Sequence, residues 1–268
     1  MAGVLAGHVA VIAGGSAGIG KAAVELFAEE GAKVVFAARA AKRGEELGER
    51  LRAEGHQVRF VQSDVSQPAD VQRLMSAAVD VFGRIDCAFN NAAALGPLRA
   101  SADYTEAEFD AEISANLKSV WLCVKYEIEQ MKRQEPPGGA IVNTSSINGL
   151  GGARGASLYS MAKAGILALT KSAAQEYAAD GIRLNALVAG GFDTDMLHAA
   201  VRKMVGDDPA KVEEGLKELA ARVPLARIGD PREAAQAALW LCSSAASYVT
   251  GTSMIVDGGL SARRVRRL

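Results

Sequence analysis

The chain has 268 residues, of which 49% are hydrophobic and 23% charged, and its formal net charge is -1. This composition excludes a disordered chain, and the near-neutral charge excludes a general attraction to nucleic acid or an anionic membrane. We expect a single α/β domain over residues 1–268 that recognises a small molecule.

Short β-branched runs alternate with longer helical patterns along the whole chain. Such alternation predicts a Rossmann-type, doubly wound, seven-stranded parallel sheet with helices on both faces. Strands are predicted at 9–13, 33–37, 57–62, 85–90, 140–144, 183–188 and 253–256. The longest helices are predicted at 105–134 and 157–179. A less regular insert at about 190–224 is expected to contact substrate.

The three cysteines and the chain ends favour an intracellular protein. Cys87, Cys123 and Cys242 are odd in number and lack metal-ligand spacing, which predicts reduced, packed thiols and no metal site. No segment reaches about 18 uninterrupted apolar residues, so we expect a cytoplasmic protein without membrane contact. The basic tail 263–267 is expected to be a solvated end, and the alternative is that it contacts an anion or a neighbouring subunit.

A glycine-rich loop follows the first predicted strand. Gly14, Ser16, Gly18, Ile19 and Gly20 lead directly into a helix. Glycines allow a tight turn and close backbone approach, and the helix N-terminus offers free N–H groups to a phosphate. The loop therefore predicts a nucleotide phosphate site.

Two kinds of nucleotide site compete for this loop. A mononucleotide P-loop would use the glycines from Gly15 onward and Lys21, but Ala22 lacks the hydroxyl that holds magnesium in such sites. The P-loop-like NTPase is therefore disfavoured. The alternative is a dinucleotide-binding loop of the spacing G-x-x-x-G-x-G.

Tyr159 and Lys163 stand four residues apart in a predicted helix, so their side chains leave the same face. A nearby ammonium favours the phenolate and would lower the tyrosine pKa. The pair is thus either a tuned acid/base or merely a cation packed over a ring.

Together these motifs resemble the short-chain dehydrogenase/reductase family over nearly the whole chain. The residues that carry the resemblance are Gly14 to Gly20, Asp64-Val65, Asn90-Asn91-Ala92, Asn116, Ser146, Tyr159, Lys163, Asn185, Gly190, Thr250-Gly251 and Asp257-Gly258-Gly259. The offset of thirteen residues from Ser146 to Tyr159 selects Ser146 over Ser145 as the family's serine.

The resemblance implies a catalytic set of four residues. Tyr159 would exchange a proton with a carbonyl or alcohol oxygen, and Ser146 would orient that oxygen. Lys163 would lower the tyrosine pKa and bind the nicotinamide ribose, whereas Asn116 would hold a water that links the lysine to solvent. From helix propensity alone, Asn116 would be a solvated polar residue.

The resemblance also implies further cofactor contacts. Asp64 and Val65 would bracket the adenine, Asn90 and Ala92 would line the groove, and Thr194 would meet the cofactor amide or phosphate. Alternatively, Asp64 is a turn or helix-capping residue, and Thr194 is a helix N-cap.

Three positions depart from the family pattern. Ala13 replaces a threonine before the glycine loop, and Ala93 replaces a glycine after Asn90-Asn91-Ala92, so a family hydrogen bond between these two segments is lost. Ala189 replaces a proline before Gly190, which should loosen the turn into the insert.

The end of the second predicted strand decides the choice between NAD(H) and NADP(H). Ala38 stands where NAD-preferring relatives carry aspartate, and Arg39 follows, with Lys42 and Arg43 close behind. A basic residue there suits a 2'-phosphate, so NADP(H) is favoured. The alternative is that Arg39 stacks on adenine and the other two cations are solvated.

Small or apolar residues are expected around the substrate, which favours a neutral ketone or secondary alcohol. The expected contacts are Leu95, Asn148, Gly191 and Met196, while His198 either bonds substrate or is an exposed residue of the insert. Carrier-protein ketoreductases share the scaffold, but Pro137 and Asp180 occupy their docking-arginine positions, which argues against such a partner.

The expected function is an NAD(P)-dependent oxidoreductase that interconverts a ketone and a secondary alcohol, and the family implies a homotetramer. The apolar helix positions that suit its interface or an internal core are Val120, Trp121, Val124, Leu167, Leu169 and Ala173. A catalytically silent regulatory protein of this fold is the alternative, although it would not need all four catalytic residues.

Overall fold

The computed structural model describes residues 3–262, so the basic segment 263–267 lies outside the described residues. Seven parallel strands form one sheet in the order β3-β2-β1-β4-β5-β6-β7. The strands are β1 (Val9–Ala13), β2 (Lys33–Ala38), β3 (Val58–Gln62), β4 (Cys87–Asn90), β5 (Gly139–Ser146), β6 (Ile182–Ala189) and β7 (Ser253–Val256). The predicted sheet is confirmed, and no predicted strand end is wrong by more than two residues.

Helices connect the strands on both faces of the sheet. They are α1 (Gly18–Glu29), α2 (Ala41–Ala53), α3 (Pro68–Phe82), α4 (Glu106–Ile113), α5 (Ser119–Arg133), α6 (Asn148–Gly151), α7 (Ser157–Tyr177), α8 (Asp195–Val205), α9 (Pro209–Arg222) and α10 (Pro231–Cys242). The insert predicted at 190–224 thus contains two regular helices, α8 and α9.

Two apolar cores lie on opposite faces of the sheet, because successive side chains of a strand point to opposite sides. In β1, Ala10 and Ile12 join the core formed with α1, α2 and α10. Val11 and Ala13 join the core formed with α3, α5 and α7. All five residues of β1 are buried, as expected for a strand covered on both faces.

The helix predicted over 105–134 is divided by a π-helical turn, Ser114–Lys118, between α4 and α5. Helical periodicity alone does not reveal this turn. Asn116 lies within it and is fully buried, with its side chain bonded to the loop after β4. Such turns are often found at functional sites because they reorient one side chain inward.

The three thiols are free and buried, which confirms the prediction of reduced, packed cysteines. Among residues 3–262, no helix combines the length and the apolar character that crossing a membrane requires.

Candidate active site

The strand order reverses between β1 and β4, and a crevice forms beyond the carboxyl ends of these two strands. Gly14 follows β1 with φ +84°, a conformation that favours glycine. A Cβ at this position would lie 2.7 Å from backbone atoms of Ala92, which follows β4. The two segments therefore meet at one wall of the crevice.

The N-terminus of α1 faces this crevice as an uncapped helix end. Ala17 precedes the helix and makes no side-chain cap. At Gly20, an added Cβ would lie 2.0 Å from the Gly14 carbonyl oxygen, so glycine is required there. Free helix N–H groups beside a small-residue turn fit the pyrophosphate of a dinucleotide. The residues present thus fit a nicotinamide cofactor.

Thr194 caps the insert helix α8 and also borders the glycine loop. Its Oγ1 accepts a hydrogen bond from Leu197 N at 3.2 Å, so the N-cap prediction is confirmed. A Cβ added at Gly18 would lie 2.9 Å from Thr194 Cγ2. The threonine therefore stands next to the phosphate end of the crevice. Ser16 lies partly exposed in the same loop, and Ile19 packs against the core beneath it.

Arg39 and Asp64 follow β2 and β3 at the far end of the crevice. The Arg39 side chain is exposed, and its carbonyl accepts a hydrogen bond from Gln62. The Asp64 carboxylate accepts from Ser66 N and Oγ at 3.0 and 2.7 Å, whereas α3 has no side-chain cap. The turn prediction for Asp64 is confirmed, and the helix-capping one is wrong. Val65 is buried in the core.

Lys42 and Arg43 stand on α2 near this end. The Lys42 ammonium lies 4.0 Å from Glu46 and is largely exposed. Arg43 bonds Asp195 of α8 at 3.1 Å, although both side chains are exposed. Arg43 is therefore solvated, as the alternative predicted, and it also contacts the insert.

Asn90 supports the crevice from below. Its amide nitrogen donates to Glu127 Oε2 at 2.9 Å and to Asn143 Oδ1 at 3.0 Å, and the residue is buried. The side chain points into the core because these polar groups have no other access to partners. We expected Asn90 to line the groove, and only its backbone can do so. Its neighbour Asn91 anchors to β1 through Ala13.

Ser146 ends β5, and Tyr159 and Lys163 lie on the first two turns of α7, beside that strand end. Ser146 lies close enough to the Tyr159 hydroxyl to lower the pKa of the phenol. Lys163 is buried, its ammonium lies 5.5 Å from the centre of the Tyr159 ring, and it donates to the Thr144 carbonyl at 3.0 Å. Ser145 instead donates to the Lys163 carbonyl, which is a structural contact.

The pKa of Tyr159 runs against the expectation from its spacing to Lys163. Burial raises the pKa of Tyr159 to about 12, the hydrogen bond with Ser146 lowers it, and the charge of Glu112 raises it further. Burial lowers the pKa of Lys163 to about 8. The expected lowering of the tyrosine pKa is therefore wrong for the protein alone, because desolvation of the buried phenol is the largest effect.

Asn116 is buried rather than solvated, so the expectation from helix propensity is wrong. Its Oδ1 accepts from Ala94 N at 2.9 Å, and its Nδ2 donates to Ala94 O at 3.2 Å. The same Nδ2 donates to Glu112 Oε1 at 2.8 Å. The amide therefore clamps the loop after β4 to the π-helical turn.

The substrate residues surround the catalytic end only in part. Asn148 N donates to Ser146 Oγ at 3.2 Å, and Lys203 of α8 donates to the Leu95 carbonyl at 3.2 Å. Gly191 lies at the start of the insert, and its carbonyl accepts from Gly229 N. Met196 is 37% exposed on α8.

Comparison with known proteins identifies the family. A family model described as enoyl-(acyl carrier protein) reductase matches residues 13–261. The chain belongs to the short-chain dehydrogenase/reductase family. It is accordingly an NAD(P)-dependent oxidoreductase, and the P-loop-like NTPase alternative is excluded. Consistent with this, Lys21 stands half-exposed beside Glu25 on α1 rather than over the glycine loop.

Relatives in this family cover almost the whole chain. An A-factor type gamma-butyrolactone 1'-reductase (1S-forming) of Streptomyces virginiae is 39% identical over 97% of both chains. A cis-4-hydroxycyclohexanecarboxylate dehydrogenase of Sinomonas cyclohexanicum is 39% identical over 95% of this chain and 97% of that one. The solved structure of a single-residue variant of the actinorhodin polyketide ketoreductase with NADPH has a TM-score of 0.89 and 30% identity, covering 98% of this chain and 100% of the other.

The three departures from the family pattern have different outcomes. No side-chain hydrogen bond joins Ala13 and Ala93, but Asn91 N donates to Ala13 O at 3.0 Å and keeps the segments paired. Ala189 continues β6 in register with Val256 of β7, and its carbonyl accepts a hydrogen bond from Ile147. The sheet therefore holds the chain up to the start of this turn, and the looser turn stays a prediction.

Sequence reasoning missed Glu112 and Lys203. Glu112 is 6% exposed and bonds Asn116, which stands four residues later. That spacing is the signal that could have drawn attention to it. Lys203 bonds the Leu95 and Gly96 carbonyls, a contact between distant parts of the chain that only the fold reveals.

His198 bonds Asp193 within the insert at 2.7 Å.

Proposed function

We propose that this protein reduces a neutral, small-molecule ketone, or oxidises the corresponding secondary alcohol, with Tyr159 as the general acid/base. The observation that carries the proposal is the group formed by Ser146, Tyr159 and buried Lys163 at the crevice that the glycine loop borders. The dinucleotide, the residue roles and the substrate class below are parts of the same proposal.

In the reductive direction, the Tyr159 hydroxyl donates its proton to the developing alkoxide. The raised pKa of Tyr159 suits this role, because the phenol stays protonated at neutral pH until a stronger base forms on the substrate. Ser146 acts on the Tyr159 hydroxyl, so in this proposal its own hydroxyl can orient the substrate oxygen beside the phenol. In the oxidative direction, the proton returns from the alcohol to the phenolate.

Lys163 stabilises the phenolate of Tyr159. By family resemblance, it also binds the nicotinamide ribose. Its ammonium is held near the Tyr159 ring by the Thr144 carbonyl, so it is already placed before any substrate enters. When bound, the nicotinamide cofactor supplies or receives the hydride. The protein thereby supplies orientation and the proton, and Asn116 keeps the adjoining loop in place.

NADP(H) is the preferred cofactor in this proposal. Arg39 directly follows β2 and its side chain is exposed, at the strand end where dinucleotide folds bind the adenosine ribose or its 2'-phosphate. Ala38 offers no carboxylate to repel that phosphate. The relative solved with NADPH supports the same choice.

The substrate is proposed to bind between the loop after β4 and the insert 190–224. Leu95, Gly191 and Met196 contribute apolar or small surface there, and Asn148 contributes a polar group. Relatives named for a butyrolactone reductase and a hydroxycyclohexanecarboxylate dehydrogenase support a ring-bearing ketone or alcohol. Asn148 and His198 are then available for its polar substituents.

A homotetramer is proposed through the outer faces of α5 and α7. Val120, Val124, Leu167 and Ala173 are buried within the chain, so they serve the internal core. Trp121, however, is 46% exposed. It borders a groove between α5 and α7 that also includes Leu169 and Tyr177, and a second copy of this chain would cover it.

The proposal is tested by following nicotinamide absorbance with NADPH and NADH against cyclic and acyclic ketones, the matching alcohols and an enoyl thioester. We expect turnover with ketones and alcohols and none with the thioester. In Tyr159→Phe, turnover should fall roughly 10²–10⁴-fold because the proton donor is lost, while NADPH binding is retained.

Tyr248→Phe is a matched control, because Tyr248 is fully exposed between α10 and β7 and has no role in proton transfer. Unchanged turnover in Tyr159→Phe would refute Tyr159 as the acid. NADPH binding without turnover of any carbonyl or alcohol would instead favour the catalytically silent alternative.

A further inference from the structure

Glu112 is a buried carboxylate that lies beside the catalytic residues. The proposed chemistry does not use it. It lies on α4 and is 6% exposed. Burying a carboxylate is costly unless hydrogen bonds and nearby cations compensate for lost hydration. Its surroundings therefore indicate what it does.

One carboxylate oxygen determines the orientation of Asn116. Glu112 Oε1 accepts from Asn116 Nδ2 at 2.8 Å, and the same Nδ2 donates to Ala94 O at 3.2 Å. The Asn116 Oδ1 accepts from Ala94 N at 2.9 Å. A flipped amide would place its oxygen against two acceptors and its nitrogen against a donor, so Glu112 adds to the preference for one orientation.

The other carboxylate oxygen packs under the loop after β4. A Cβ added at Gly96 would lie 2.0 Å from Glu112 Oε2, so this carboxylate oxygen lies directly against the glycine. Lys203 of α8 donates to the Gly96 carbonyl at 2.7 Å and to the Leu95 carbonyl at 3.2 Å. Glu112 thus lies at the junction of α4, the loop and the insert.

Three titratable groups interact electrostatically with this carboxylate. Lys163 and Tyr159 belong to α7, which packs against α4. Lys203 belongs to α8 and bonds the carbonyl of Gly96, the residue that lies against Glu112 Oε2. Burial raises the pKa of Glu112, while Asn116 and the two lysines lower it. In return, the Glu112 charge raises the pKa of both Tyr159 and Lys163. The carboxylate is therefore electrostatically coupled to the proton-transfer pair.

We propose that Glu112 is a positioning residue of the active site, which orients Asn116 and supplies the negative charge that faces Lys163 and Tyr159. This inference rests on the proposed function. Glu112 does not touch the reacting atoms. It acts through the amide that clamps Ala94 and through its field at the catalytic pair.

The two effects of Glu112 can be separated by substitution. In Glu112→Gln, the amide oxygen can still accept from Asn116, but the negative charge is gone. Removing an anion reduces the total proton affinity of the Tyr159 and Lys163 pair, so its apparent pKa values fall. In Glu112→Asp, the charge remains but the shorter side chain no longer reaches the amide.

The experiment measures kcat and KM against pH, in both directions, for the wild type, Glu112→Gln, Glu112→Asp and Asp110→Asn. Asp110 is exposed on the same helix, so Asp110→Asn removes an equal charge away from the site. In Glu112→Gln, the rise of the oxidation rate with pH should move about 0.5 pH unit or more to lower pH. Asp110→Asn should keep the wild-type profile.

Glu112→Asp should keep the pH profile and lose at least about tenfold in kcat, with little change in the KM for cofactor. Profiles of Glu112→Gln that coincide with those of the wild type would overturn the proposed charge effect. An unchanged kcat in Glu112→Asp would overturn the positioning effect. Circular dichroism establishes that each variant is folded.

A second measurement does not need a substrate. The ultraviolet absorbance of tyrosinate is recorded after rapid pH jumps, and subtracting the Tyr159→Phe signal isolates Tyr159 in each background. The pKa of Tyr159 should be lower in Glu112→Gln than in the wild type, and equal values would overturn the inference. If the wild type turns over no carbonyl or alcohol, the proposed function fails, while this titration still decides the role of Glu112.

Discussion

At the level of single residues, desolvation has the largest effect on the pKa values of the active-site groups. Tyr159 and Lys163 are both shifted toward their neutral forms, to a pKa of about 12 and about 8 respectively. Spacing along the chain predicts that the two groups meet, but burial determines which protonation state is stable. The cost of removing each charge from water is the largest effect on both groups.

Arg39 carries a prediction about cofactor choice. In Arg39→Ala, kcat/KM with NADPH should fall about 10–100-fold, because a charge-assisted hydrogen bond to the 2'-phosphate is lost, whereas the value with NADH should change little. Steady-state kinetics with both cofactors provide the measurement. Arg59→Ala removes an exposed arginine from the adjoining strand β3 and is the control. A clear preference for NADH that remains in Arg39→Ala would contradict the hypothesis that Arg39 binds the 2'-phosphate.

At the level of secondary-structure elements, buried polar groups connect the helices to the sheet. Glu127 of α5 accepts from Asn90 of β4, which donates to Asn143 of β5, and Asn143 donates to Thr170 of α7 at 3.1 Å. Two buried oxygens in this chain of contacts, Asn90 Oδ1 and Glu127 Oε1, have no partner among the described residues. A protonated Glu127 can satisfy both, because its hydroxyl can donate to the amide oxygen.

Protonation of Glu127 predicts a pH-dependent stability. Burial raises the pKa of Glu127 to about 8 from 4.5. The folded protein therefore binds a proton that the unfolded chain releases, and the stabilisation is complete below pH 4.5 and is lost as pH rises through 8. The free energy of unfolding should fall by about 1.4 kcal/mol per pH unit inside this window.

Glu127→Gln should remove this slope, because glutamine keeps one donor and one acceptor toward Asn90 but does not titrate. Urea denaturation of both proteins between pH 4.5 and 8 measures the difference. Glu45→Gln replaces an exposed carboxylate on α2 and should retain the wild-type slope. Parallel curves for the wild type and Glu127→Gln would contradict a protonated Glu127.

At the level of the whole molecule, segments from distant parts of the chain meet at the crevice between β1 and β4. The glycine loop, the loop after β4 and the insert helix α8 all meet around it, and Arg43, Thr194 and Lys203 link the insert to the rest. The outer faces of α5 and α7 point away from the crevice. Association through those faces would leave the proposed substrate entrance open.

Trp121 tests the proposed association of copies. In Trp121→Glu, a charge would be buried at the interface, so the tetramer should dissociate into smaller species. Light scattering coupled to size exclusion measures the mass of each form. Val81→Glu places the same charge on an exposed position of α3 and should not alter the mass. A monomeric wild type, or an intact Trp121→Glu tetramer, would refute this interface.

The sequence by itself determined the parallel sheet, the glycine loop and the meeting of Tyr159 with Lys163, because these features follow from local periodicity and short spacing. It also pointed to Ser146 and Asn116 through the family resemblance. These predictions needed no knowledge of how distant segments pack.

Only the tertiary structure decided the environment of those residues. The inward direction of Asn90, the bond of Asn116 to the loop after β4 and the contact of Lys203 with that loop join segments far apart in the chain. The π-helical turn and the burial of Glu112 likewise depend on how the elements pack. The helices and strands that pack against a polar group decide how deeply it is buried and which groups it can bond. Charge states at the site therefore follow from packing rather than from spacing along the chain.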